Sequence, residues 1–212
     1  MKKILLMLVL CLPILATAKD KSDDTPYLKG AVPEENGIVT FTKSFKVPGK
    51  SKQEIYNVLK PWASALVDGS IEAPGNYARF TQDTNDTIVV RVCEWQVYKQ
   101  KFLNLDRSRF RYTLAVIIED GKVQLRQSGL AYYYREDMEG NGGENIRAEE
   151  WINDKSALNK AGTKLLPQSG KFRRKTVDRA KEIFESAMDA FEVKEAPKPE
   201  PEKKVRRAIV ED

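Results

Sequence analysis

The sequence predicts an α+β fold: an antiparallel five-stranded sheet with two main helices on one face, in the order β-α-β-β-β-β-α. Three observations carry the prediction. Segments between residues 38 and 134 alternate apolar and polar side chains with period two, which marks half-buried strands. The turns joining them are short, so neighbouring strands run antiparallel. Two further segments repeat with the helical period and carry one apolar stripe each, so each helix has a single side to bury against the sheet.

The first strand lies in GIVTFTKSFKVP, where Val39, Phe41, Phe45 and Val47 share a face and Thr40, Thr42, Ser44 and Lys46 take the other. Ser51 followed by Glu54 is a capping box, so a helix opens there. Ile55, Val58, Leu59, Trp62 and Leu66 then fall on one side of it. Pro61 removes a backbone donor at a cost of about 3 kcal/mol, which predicts a kink or an early end. GNYARFTQ is a short strand with Ala78 and Phe80 in phase, and Thr84–Asp86 is a turn. In TIVVRVCEWQVYK, Ile88, Val90 and Val92 oppose Val89, Cys93, Trp95 and Val97, and the change of polarity at Cys93 and Glu94 predicts a bulge.

The segment RFRYTLAVIIEDGKVQLRQSGLAYYYRED is a hairpin. Phe110, Tyr112, Leu114, Val116 and Ile118 alternate with Arg109, Arg111, Thr113, Ala115 and Ile117, and Asp120-Gly121 suits the tight turn. The return strand carries Val123 and Leu125, then Leu130, Tyr132 and Tyr134, so its phase shifts between Gln127 and Gly129. Of the three consecutive tyrosines, Tyr132 and Tyr134 face the core and Tyr133 faces out. Next come a loop (MEGNGGEN), a short helix over residues 148–159 and an irregular stretch (TKLLPQSGKF). A long helix over 173–193 closes the domain, with Val177, Ala180, Phe184, Ala187, Met188 and Phe191 in one stripe.

These segments, together with AEEWI and the closing GKFRRKTVDRAKEIFESAMDAF, resemble the family called domain of unknown function 4468, found mostly in Bacteroidota and described as having a TBP-like fold. The resemblance covers residues 37–193 and is strongest over 37–135. It implies a curved antiparallel sheet with two helices. It implies no activity and supplies no functional residues. A shared sheet-and-helix shape does not transfer DNA binding.

The two ends set the expected location. Lys2 and Lys3, the apolar run Ile4–Leu15 and Ala16-Thr17-Ala18 follow the order of a secretory signal peptide over residues 1–18. Export to the periplasm is the expectation, with lipid anchoring through Cys11 or an extracellular location as alternatives. Residues 19–36 read as a flexible lead-in, 37–193 as a single domain and 194–212 as a disordered charged tail. No transmembrane helix is expected in the mature protein.

Composition prunes the chemistry. Histidine is absent, which excludes Ser-His-Asp and Cys-His catalysis and the usual zinc sites. No serine precedes a lysine at the spacing of a Ser-Lys dyad. The GKS at 49–51 lacks the upstream glycine of a phosphate loop, its place being taken by Ser44. Cys93 sits among strand residues with no activating base. Glu149 and Glu150 beside Trp151 suggest a glycan site, but adjacent helical residues point about 100° apart. Asp83, Asn85 and Asp86 suit a hairpin turn as well as a weak calcium site. No enzyme, cofactor or metal is expected.

The net charge is +5, falling to +3 without Lys2 and Lys3, too mild to suggest a polyanion partner, and no nucleic acid is expected as a partner. The basic run of Lys171, Arg173, Arg174, Lys175 and Arg179 opens the last predicted helix, where cations oppose the dipole. The expectation is therefore a non-enzymatic binding module that meets an envelope protein or an acidic surface. Its candidate contacts are Arg173, Arg174, Lys175, Trp95 and Tyr133. The alternative is a small-ligand or glycan binder with a pocket between sheet and helices and a perturbed carboxylate in it. A self-associating structural protein is the third reading.

Overall fold

The structure is a computed structural model that describes residues 23–102, 104–136 and 142–191. The expected signal peptide, the start of the lead-in and the charged tail lie outside the described residues. A 3-10 turn at Thr25–Tyr27 leads into two short paired strands, β1 (Glu34–Glu35) and β2 (Ile38–Val39). Then follow β3 (Phe41–Lys46), α1 (Lys52–Ile71), β4 (Tyr77–Asp83), β5 (Thr87–Lys101), β6 (Asn104–Glu119) and β7 (Lys122–Tyr134). The chain continues through β8 (Glu144–Arg147), the one-turn helices α2 (Ala148–Trp151) and α3 (Asp154–Ala157), and α4 (Pro167–Asp189).

The main sheet has six antiparallel strands, ordered β3-β7-β6-β5-β4, with β8 paired to the far half of β7. Five strands were expected; β8 is the addition. It is four residues long with one buried side chain, Ile146, too short for its period to register in the sequence. The expected helix over 148–159 is two separate turns broken at Ile152 and Asn153. The long helix starts at Pro167 rather than 173, because proline suits the first helical position, where its missing N–H is not needed.

Helix α1 carries the complete capping box and runs on through Pro61, whose ring lies on the exposed side while Ile55, Leu59 and Ala63 are buried. The bulge expected at Cys93 and Glu94 is absent, since that stretch pairs regularly with β6. The register shift falls between Val97 and Lys99 instead. The polarity change has another cause: Glu94 and Gln96 face the helix side of the sheet and find partners there, Arg179 of α4 for the first and Tyr98 of β5 itself for the second. The phase shift in β7 is real, and Gly129 (φ 63°) and Leu130 together oppose Tyr112.

Both long helices cover one face of the sheet. Phe110 stacks on Tyr132 at 5.4 Å, and Phe172 of α4 meets Tyr132 and Tyr134 edge-on at 5.0 and 5.1 Å. The Tyr132 hydroxyl, fully buried, shares a 2.7 Å hydrogen bond with Thr176. Trp62 of α1 donates to Ser186 of α4. The centre of the layer between sheet and helices is thus filled by side chains, and the space left for a small ligand lies at its rim, in clefts of about 410 Å³ between β5 and α4 and about 330 Å³ between β3 and α4. Burial of these apolar side chains is the main favourable term in holding the layers together.

Candidate interaction surface

The basic run on α4 does not form a free patch. Arg173 is completely buried, and its guanidinium donates to the carbonyls of Tyr27, Leu28 and Ile152 and to Asp154, at 2.6–2.7 Å. Arg174 pairs with Asp24, Lys171 with Asp106, and Arg179 grips Glu94 with two bonds. The cluster also begins a turn inside α4, so it does not sit at the helix start as the sequence suggested. Arg173 is therefore committed to the fold, and Arg174 is engaged by an ion pair within it. They hold residues 24–28 against α4, and Tyr27 adds a bond to Asp178, so this part of the lead-in is packed rather than flexible. Of the five cations, Lys175 alone stays exposed without an ion pair among the described residues; it borders a cleft of about 410 Å³ that Trp95 also lines.

The other face of the sheet carries no helix. Directly opposed residues share a face, so the register defines its rows. One row runs Trp95, Arg109, Tyr133, Asn145 across β5 to β8, and the next runs Tyr77, Cys93, Arg111, Ala131, Arg147. A third runs Arg79, Arg91, Thr113, Ser128. Arg107 and Arg126 lie on the same face, opposite Val97 and Ala115. Trp95 and Tyr133 thus come together with arginines, as the strand period of Arg109 and Arg111 hinted.

The first row is internally satisfied. The guanidinium carbons of Arg107 and Arg109 lie 3.6 and 3.8 Å from the Trp95 ring centre. Two groups that close must occupy opposite sides, so both faces of the indole are covered. Its Nε1 donates to Pro74, and Arg109 also bonds Glu136 and the Gly75 carbonyl. The Tyr133 hydroxyl accepts from the Gly143 amide, and its ring lies so close to Gly143 that a Cβ there would sit 2.5 Å away. Trp95 thus offers no free face for stacking a base or a sugar, and one side of the Tyr133 ring is taken by Gly143.

The second and third rows are different. Arg79 and Arg91 sit directly opposite one another, are exposed, and have no hydrogen-bond or ion-pair partner among the described residues. Arg111, one step diagonal from Arg91, bonds Asn145 through one terminal nitrogen, while its Nε is buried without a partner. No acidic side chain belongs to these rows; Thr113, Ser128 and Cys93 lie between the arginines. Burial pushes the Cys93 thiol up in pKa against the pull of Arg109 and Arg111, which keeps it protonated and inert.

The carboxylates weighed for chemistry are engaged elsewhere. Glu149 accepts from the Val39 amide and pairs with Arg147. Asp83 accepts from Tyr56 and Lys60, and its pKa is lowered by the Lys60 bond. Among the described residues no cluster of carboxylates and thiols is arranged to hold a metal, and no helix is long and apolar enough to cross a membrane.

A family model described as domain of unknown function (DUF4468) with TBP-like fold matches residues 41–133. The chain is similar to the crystal structure of a DUF4468 family protein from Bacteroides ovatus, with 37% identity and a TM-score of 0.72, over 85% of this chain and 100% of that one. It is also similar to a TBP-like protein from Parabacteroides distasonis, with 19% identity and a TM-score of 0.61, over 76% of this chain and 96% of that one, a likeness of fold alone. No curated protein matches the sequence.

Proposed function

This chain belongs to the DUF4468 family, and from that premise we propose that it is a non-enzymatic interaction module of the cell envelope, exported behind its leader, that presents the open face of its sheet to an anionic partner. The observation that carries the reading is the cluster of Arg79, Arg91 and Arg111. Like charges opposed across strands destabilise a sheet, and an anion seated between them removes the repulsion. The filled centre of the layer between sheet and helices and the covered faces of Trp95 weigh against an enclosed, aromatic-lined ligand or glycan pocket there.

The test is binding of a compact soluble polyanion, inositol hexakisphosphate, followed by calorimetry over a salt series. Binding that weakens as salt rises is expected, because exposed charges are screened. The double substitution Arg91→Glu and Arg111→Glu should weaken binding about a hundredfold, from two lost charge-assisted contacts. Charge reversal at Lys175, outside this face, should leave it within about twofold. Equal affinity of the double variant and the parent would sink the proposal.

A further inference from the structure

The hairpin of β5 and β6 outruns the sheet. Strand β4 follows β5 only as far as the Tyr77–Cys93 pair, and β7 follows β6 only to the Ser108–Tyr134 pair. Beyond these points, among the described residues, the two strands pair only with each other. The projecting ribbon carries the most exposed large apolar side chain of the described residues, Phe102 at 98%, together with Leu105 at 51%. At 98% exposure the Phe102 ring contributes almost no burial to the fold, and an aromatic left in water at a projecting tip beside a half-exposed leucine suits a contact site.

Charge decides what the tip contacts. Lys99 and Lys101 precede Phe102 and are exposed at the tip, on the face of the ribbon opposite Leu105, where they pair with Asp106 and Asn104. Leu105 falls on the same face of β6 as Arg107, Arg109 and Arg111, so the apolar tip continues the arginine face. The acid of the ribbon, Asp106, points the other way and is held by Lys171 and Tyr134. A second copy of this chain would set these lysines and arginines against their own kind. An anionic lipid surface matches both halves: phosphates for the cations and an acyl boundary for the phenyl ring.

We propose that the β5–β6 tip and the adjoining arginine face dock the protein on an anionic lipid bilayer, with Phe102 entering the headgroup–acyl boundary. The inference rests on the anion-binding reading of the open face and names its partner.

Cosedimentation of the chain with vesicles containing phosphatidylglycerol, compared with phosphatidylcholine alone, tests it. Binding to the anionic vesicles only is expected, weakening with salt. Phe102→Asp should weaken vesicle binding about tenfold or more while leaving inositol hexakisphosphate binding unchanged. Because the side chain is wholly exposed, the variant should melt with the parent. Phe102→Trp should bind as well as the parent and shift its emission to the blue on vesicles. Polyanion binding without vesicle binding would overturn this inference and leave the anion-binding reading intact. Vesicle binding that Phe102→Asp does not weaken would overturn it too. So would a concentration-dependent dimer that Phe102→Asp abolishes, which would make the tip a contact between copies.

Discussion

Arg173 shows how a residue type misleads when its surroundings are unknown. In the sequence it is one cation in a basic run; in the fold it is a buried fork whose donors close four acceptors. Arg173→Ala should lower stability by about 3 kcal/mol in denaturant unfolding, because buried carbonyls and Asp154 lose their donor together. Arg173→Lys should recover only part of this, since an ammonium cannot reach all four. Asp83 gives a smaller, pH-dependent case. The Lys60 bond holds its carboxyl below its unfolded value of 3.8, against the opposing pull of desolvation. A depressed acid contributes stability that is present above the unfolded pKa and lost as pH falls through the folded one. The side chain is about one-third exposed, so the contribution is screened to about 0.5 kcal/mol. Asp83→Asn should therefore melt below the parent at neutral pH, and the gap should close below about pH 4.

At the scale of elements, the sequence was legible where a period ran long enough. The β6–β7 hairpin, the capped start of α1 and the stripe of α4 are where the spacing placed them. The shift at Gly129 was legible too, because the apolar phase of β7 changes across it. That glycine lies at φ 63°, a region a Cβ disfavours. Gly129→Ala should cost about 1 kcal/mol in equilibrium unfolding. A cost near zero would show that the bulge can relax. What escaped was short or depended on a distant partner. Strand β8 has one buried residue, and its place comes from pairing with β7. Nothing local says that residues 24–28 are pinned, because the pin is 145 residues away. The site divides likewise. Arg107, Arg109 and Arg111 share a face by period alone, but bringing Arg79 opposite Arg91 needs the register of β4 on β5.

For the whole molecule, a modest net charge conceals a strong asymmetry. Cations near the helices are paired with Asp24, Glu94, Asp106 and Asp154, whereas the open face keeps Arg79 and Arg91 uncompensated. A sheet kept for stability alone would not set two unpaired arginines opposite one another. If the face exists to hold an anion, the free protein bears a cost that the bound one recovers. Arg91→Thr separates the two accounts. Threonine suits a strand and removes the repulsion, so the variant should be more stable than the parent by about 0.5 kcal/mol. Its polyanion binding should fall about tenfold, through one lost charged contact. Adding saturating polyanion should then raise the melting temperature of the parent more than that of the variant, reversing their order. A variant both less stable and equally able to bind would mean that Arg91 serves the fold through its stem, and that the asymmetry has another origin.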